Sequence, residues 1–249
     1  MFYFDEFCGK KVLKSSLLEG IEHFFTTRDF VLTKGALDDL EQTANKNREI
    51  MLETFDIKQE RLITVNQTHS DNVEIYNGQK SFYDNCDGII TSEPETAAIL
   101  NFADCVPIIM FDKVNNIASV VHAGWRGTAK EIVKKAALIM VEKLGSNPRN
   151  ISAAIGPSIG IDNFSVDEKV FFELVKDNDN SVFRYDKKLD KYYVDLKLLN
   201  KKQLLSIGVE NIDLSTYCTY SMSDIFFSYR KEEGITARHS AVIKLGKRD

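Results

Sequence analysis

The chain has 249 residues, room for one large domain or two small ones, and its 43% hydrophobic and 28% charged residues exclude disorder over most of its length. A formal net charge of -5 excludes the summed positive field that draws proteins to nucleic acid or anionic membrane. No apolar run approaches the roughly 18 residues of a membrane span, and the first seven residues carry Asp5 and Glu6 rather than a basic start. Neither span nor signal peptide is therefore expected, and the expected location is the cytoplasm.

Taken in order, the opening residues read as short strands ending in the run from Ile21 to Arg28. Leu37, Leu40, Thr43, Ile50, Met51 and Phe55 recur at three- and four-residue steps, which predicts a helix over 37–55. Short apolar runs then predict strands at Leu62–Val65, Val73–Tyr76, 88–90, 97–102, 107–111 and 117–121. Several are apolar at every position, which implies cover on both faces. Thr128-Ala129-Lys130-Glu131 has the form of a capping box with Thr128 as N-cap. It predicts a helix burying Ile132, Val133, Ala136, Ala137 and Met140 and stopping at Gly145. A strand at Ile151–Ile155, helices at 167–176 and 196–207, and strands at 225–229 and 240–245 follow. Residues 177–192, rich in Asn, Asp and Lys, read as a surface excursion. Strands and helices cluster rather than alternate, which predicts an α+β fold. No repeat or composition break divides the chain, so one domain over 1–249 is expected.

Four histidines and four cysteines are present, with no CxxC spacing. His69 follows the run Leu62–Val65, His122 follows 117–121, and Cys105 stands between two apolar runs. All three fall where strands leave a core, the places at which sites are built. Two imidazoles and a thiolate suit a borderline metal such as zinc and leave a fourth position open. Read singly, each residue is more simply a structural group, Cys105 a small buried hydrophobe. The loop after His122 offers Gly124, Arg126, Gly127 and the helix start at Thr128, an anion site for phosphate or carboxylate. The bland alternative is a capped strand–helix turn with a surface arginine. Arg28 and Arg238, each beside small polar residues at a strand boundary, are further candidates.

These segments carry a family resemblance. Phe24-Phe25-Thr26-Thr27-Arg28, Gln67-Thr68-His69, Cys86-Asp87-Gly88, Ala103-Asp104-Cys105-Val106-Pro107, His122-Ala123-Gly124-Trp125-Arg126-Gly127-Thr128, Ile155-Gly156-Pro157 and Phe226-Phe227-Ser228-Tyr229-Arg230 run in the order of the YfiH-like family over nearly the whole chain. That family was formerly called multicopper polyphenol oxidases or laccase-domain proteins, and the chain resembles it. The resemblance implies a four-layer α/β/β/α sandwich of mixed sheets with one zinc on His69, Cys105 and His122. It implies phosphorolysis of adenosine, inosine, guanosine or S-methyl-5'-thioadenosine to base and sugar 1-phosphate, with adenosine deaminase as a side activity. Arg28, Arg126, Gly127, Thr128 and Arg238 would then serve phosphate, and Asp104 would act as general acid/base or hold a ligand in place. The expected partners are a purine nucleoside and phosphate, in a protein acting alone or as a homodimer. Departures from the family pattern stand at Ser158-Ile159 after Gly-Pro, and at Thr236-Ala237-Arg238 where Thr-Gly-Arg is usual. Rival readings are a copper (Cu2+) polyphenol oxidase, a hydrolase with Cys105 as nucleophile and a histidine as base, and an editing factor for peptidoglycan precursors.

Overall fold

The computed structural model of the chain describes residues 1–33, 38–176, 179–234 and 237–247. Leu37, Thr236 and residues 177 and 178, invoked above, lie outside them. The strands are β1 (Phe2–Phe7), β2 (Lys10–Ser15), β3 (Glu22–Thr26), β4 (Leu62–Val65), β5 (Val73–Tyr76), β6 (Phe82–Tyr83), β7 (Gly88–Thr91), β8 (Thr96–Phe102), β9 (Val106–Asp112), β10 (Ile117–Ala123), β11 (Ile151–Ile155), β12 (Ser165–Val166), β13 (Phe183–Asp186), β14 (Lys191–Val194), β15 (Asn211–Leu214) and β16 (His239–Leu245). The α-helices are α1 (Asp38–Phe55), α2 (Trp125–Ala129), α3 (Ile132–Leu144), α4 (Glu168–Leu174) and α5 (Leu196–Leu205).

Alternation along the strands explains the layering. In β8, Ala98, Leu100 and Phe102 join a cluster with Ile109 and Phe111 of β9 and Ala118 and Val120 of β10. The intervening Ala97 and Ile99 pack with Met51, Leu52 and Phe55 of α1. Ile108 and Met110 of β9 turn the other way, to Val133, Ala136 and Met140 of α3. Successive side chains on a strand point to opposite faces, so these memberships give the order α1, sheet, sheet, α3–α5. Every residue of β9 and β10 is buried because each face is covered. The first sheet has the order β1-β2-β3-β16-β8-β4-β6 and the second β15-β11-β9-β10-β7-β5. Both are mixed: β4 pairs β8, β5 pairs β7 and β11 pairs β15 in parallel, while β9 and β10 are antiparallel. The expected α+β sandwich of mixed sheets is therefore observed.

Three expectations are corrected. Thr128 is not an N-cap: α2 begins at Trp125, with Gly124 in the cap position four residues before Thr128, and the Thr128 N–H already donates to the Gly124 carbonyl at 2.8 Å. The chain then breaks at Glu131, which adopts a left-handed conformation (φ 59), before α3 starts at Ile132. Residues 225–229 form no strand; Phe226 enters the cluster between the sheets and Phe227 packs with Val31 and Ala237. Their apolarity records burial of separate rings rather than a ladder. Residues 177–192 are more than an excursion, since β13 and β14 pair as a hairpin and β12 adds a third strand. Phe171 of α4 stacks on Tyr192 with ring centroids 4.0 Å apart, so the aromatics of this charged stretch anchor it.

Candidate metal centre and substrate cavity

His69 stands in the loop after β4, Cys105 just before β9, and His122 near the end of β10. One potential ligand atom from each lies within 4.8 Å of the others. The convergence follows from local geometry. His69 adopts φ 59 and Asp104, before the cysteine, φ 80, turns that few residues make without support. Support comes from the fully buried Asp87, immediately before β7. Its Oδ1 accepts from the His69 N–H at 3.1 Å and lies 2.7 Å from His122 Nδ1. Its Oδ2 accepts from the N–H groups of Thr68 and Ser70 and from the Ser70 hydroxyl. With Nδ1 held on the carboxylate, His122 keeps Nε2 for a metal.

The electrostatics suit a cation. Burial pushes the Asp87 carboxyl up, but the bonds from His122 and Ser70 outweigh it and hold the pKa at about 2. Burial likewise opposes ionisation of Cys105, yet the His122 and His69 imidazoles bring its thiol below the ordinary range. His122 moves upward against burial, because the Cys105 sulfur and Asp87 favour its charged form. A proton on His122 thus fills a role that a divalent ion can take over. Space is shaped for the three side chains too: a Cβ on Gly124 would come within 3.0 Å of His69 Cδ2 and 3.1 Å of Cys105 Sγ. The donor set and this glycine cradle fit a metal such as zinc.

The trio opens on a cavity of about 520 Å³, within the range of small-molecule sites. Asp104, Phe164, Tyr229, Arg230 and Arg238 are among its walls. Asp104 accepts from the Thr219 hydroxyl on one oxygen and from the Arg230 N–H on the other, both at 2.7 Å. It thereby ties the segment carrying Tyr229 and Arg230 to the turn carrying Cys105.

Of the residues expected to serve phosphate, only Arg238 lines this cavity. Arg28 is not among the lining residues; it donates from Nε to the Ser223 and Phe226 carbonyls, pairs with Glu232 and stacks 4.3 Å from the Phe227 ring. Arg126 is exposed and lies 4.2 Å over Trp125. Gly127 and Thr128 are buried, and the Thr128 hydroxyl accepts from Asn200 Nδ2. Residues given no role from the sequence are Asp87, Asn101, Phe164, Tyr229 and Arg230. Asp87, Tyr229 and Arg230 stood inside quoted segments; Asn101 and Phe164 carried no signal.

The chain is similar in sequence and in fold to known proteins. The family described as multi-copper polyphenol oxidoreductase laccase matches residues 25–246. Purine nucleoside phosphorylase YlmD of Bacillus subtilis is 35% identical over 211 residues, 80% of this chain and 76% of its own. A purine nucleoside phosphorylase of Bacteroides thetaiotaomicron is 30% identical over 87% of this chain and 88% of its own. Among solved structures, YlmD from Geobacillus stearothermophilus superposes with a TM-score of 0.88 at 26% identity, covering 98% of this chain and 99% of that one. YfiH of Bacillus licheniformis gives 0.84 at 27%, covering 94% and 96%. Sequence match, shared architecture and coverage of nearly the full length agree, and the chain belongs to the multi-copper polyphenol oxidoreductase laccase family, with the fold of YlmD and YfiH.

Proposed function

We propose that the chain is a zinc-dependent purine nucleoside phosphorylase acting on adenosine, inosine, guanosine or S-methyl-5'-thioadenosine. The observation that carries this reading is the cavity, in which a His2Cys trio and two arginines, Arg230 and Arg238, share one wall system. The names of the relatives supply the reaction class. In the proposed reaction an oxygen of phosphate bonds to the anomeric carbon as the bond from that carbon to the purine nitrogen breaks. The base leaves with the bonding pair and takes at its ring nitrogen the proton that the hydrogen phosphate gives up as it becomes the ester. Arg238 and Arg230 hold the phosphate and offset its charge. Asp104 keeps Arg230 and Tyr229 in place, and Arg28 acts through its hold on 223–232 rather than by touching phosphate. Held by His69, Cys105 and His122, zinc would supply Lewis acidity, the chemistry on which a side activity of adenosine deamination would draw.

Zinc is favoured over copper because blue-copper centres add a soft axial ligand such as methionine, and no methionine is among the residues lining the cavity. Incubation of purified protein with inosine, with and without phosphate, tests the proposal. Phosphate-dependent release of hypoxanthine, lost in His69→Ala and Cys105→Ala along with bound zinc, is expected. Stoichiometric copper with oxidation of phenols and no base release would overturn it.

A further inference from the structure

The cavity wall contains an amide side chain held at its oxygen alone. Asn101 lies in β8, where its backbone pairs with Ser240 of β16. On the other side Gln67 closes a two-point clamp on it, donating from Nε2 to the Asn101 carbonyl at 2.7 Å and accepting from the Asn101 N–H at 2.8 Å. The side chain is fixed as well. Its Oδ1 accepts from the Thr33 hydroxyl at 2.6 Å and from the Ser240 hydroxyl at 2.9 Å. Two O–H donors on one oxygen orient the carboxamide and leave Nδ2, which makes no hydrogen bond to the described residues. Asn101 is half-buried and lines the cavity.

The other amide and carboxylate on this wall are already engaged. Gln67 has both polar side-chain atoms on Asn101, and Asp104 has one donor on each oxygen. The arginines are cations suited to phosphate. Asn101 Nδ2 is a neutral donor whose direction is set before any ligand arrives. Such a donor selects for a ligand acceptor and against a ligand donor, because a mismatched pair leaves both groups unsatisfied.

We infer that Asn101 is a specificity-determining residue whose Nδ2 donates to an acceptor oxygen of the nucleoside, either the 6-oxo group of the base or the sugar 2'-hydroxyl. This rests on the phosphorylase reading above. Thr33 and Ser240 are positioning residues that hold the amide in its donating orientation.

Asn101→Asp is the decisive variant, since it keeps an oxygen for both hydroxyls and the side chain's shape while replacing the donor with an acceptor. The readout is kcat/KM for inosine, for purine riboside, which lacks the 6-oxo group, and for 2'-deoxyinosine, at fixed phosphate. Ratios between nucleosides cancel any effect of the new charge on phosphate. The preference of the unaltered enzyme for inosine over one analogue should fall roughly tenfold in the variant, and the analogue identifies the oxygen. Thr33→Val with Ser240→Ala, which frees the amide without removing it, should lose part of the same preference. Ratios unchanged in Asn101→Asp would overturn the inference, as would equal loss on all three nucleosides. An unaltered protein that releases no base with phosphate would instead reject the phosphorylase reading itself.

Discussion

Asp87 braces the candidate metal centre without being one of its candidate ligands. One carboxylate fixes the His122 ring and the backbone of the loop that presents His69. Removing its charge should therefore act through both histidines. Asp87→Asn is expected to lower metal affinity about 10- to 100-fold, read by competition with a chelator; unchanged affinity would contradict this role. The acid side of the stability profile should change too. The Asp87 pKa falls from 3.8 to about 2 on folding, so in metal-stripped protein its stabilisation is fully present above pH 3.8 and is lost as the pH drops through about 2. Urea unfolding at pH 5, 4, 3 and 2 should show a shallower acid decline in Asp87→Asn than in the parent. The three candidate ligands stood out in the sequence because His122 and Cys105 interrupt or border apolar runs and His69 follows one within four residues. Asp87 did not, since an acid beside Gly88 reads equally as a turn residue. Asn101 was hidden for another reason: its meaning depends on Thr33 and Ser240, far away along the chain.

At the scale of elements, the sequence located strands and helices well and their junctions less well. The run 132–144 and the stop at Gly145, in left-handed conformation at φ 77, are observed as expected. The capping-box pattern at Thr128 failed because a short helix, α2, already occupies 125–129 and packs against α4 and α5. Tertiary contacts there override a local signature. Two glycines at strand ends separate the site from the scaffold. Gly124→Ala places a methyl against His69 and Cys105, and should reduce metal affinity several-fold, roughly as other changes behind metal ligands do. Gly156→Ala drives its methyl to 2.5 Å from the Phe25 ring, and overpacking of that kind costs about 1–3 kcal/mol. Chelator competition and denaturant unfolding on both variants should show this crossed pattern. Equal effects of both substitutions on metal and stability would contradict it.

For the whole molecule, the two-sided burial of β9 and β10 was readable from their uninterrupted apolar runs, and it demands layers on both sides. Strand order was not readable, because the parallel pairs β4–β8, β5–β7 and β11–β15 join segments whose partners local sequence does not specify. The interface between the sheets is the shared core, so a cavity there should weaken the whole fold. Ile109→Ala is expected to cost about 2–5 kcal/mol in denaturant unfolding, with the cavity residues themselves untouched; a loss below 1 kcal/mol, roughly a surface effect, would contradict that layering. The fold brings the ends of β4, β8 and β10 together at one side, where the His2Cys trio meets the arginine-bearing wall. The most direct test of the reaction assigned to that meeting point is phosphorus NMR of zinc-loaded protein with inosine and inorganic phosphate. The account predicts a ribose 1-phosphate resonance growing in step with hypoxanthine. Hypoxanthine appearing with no phosphate ester, or inosine remaining intact, would contradict it.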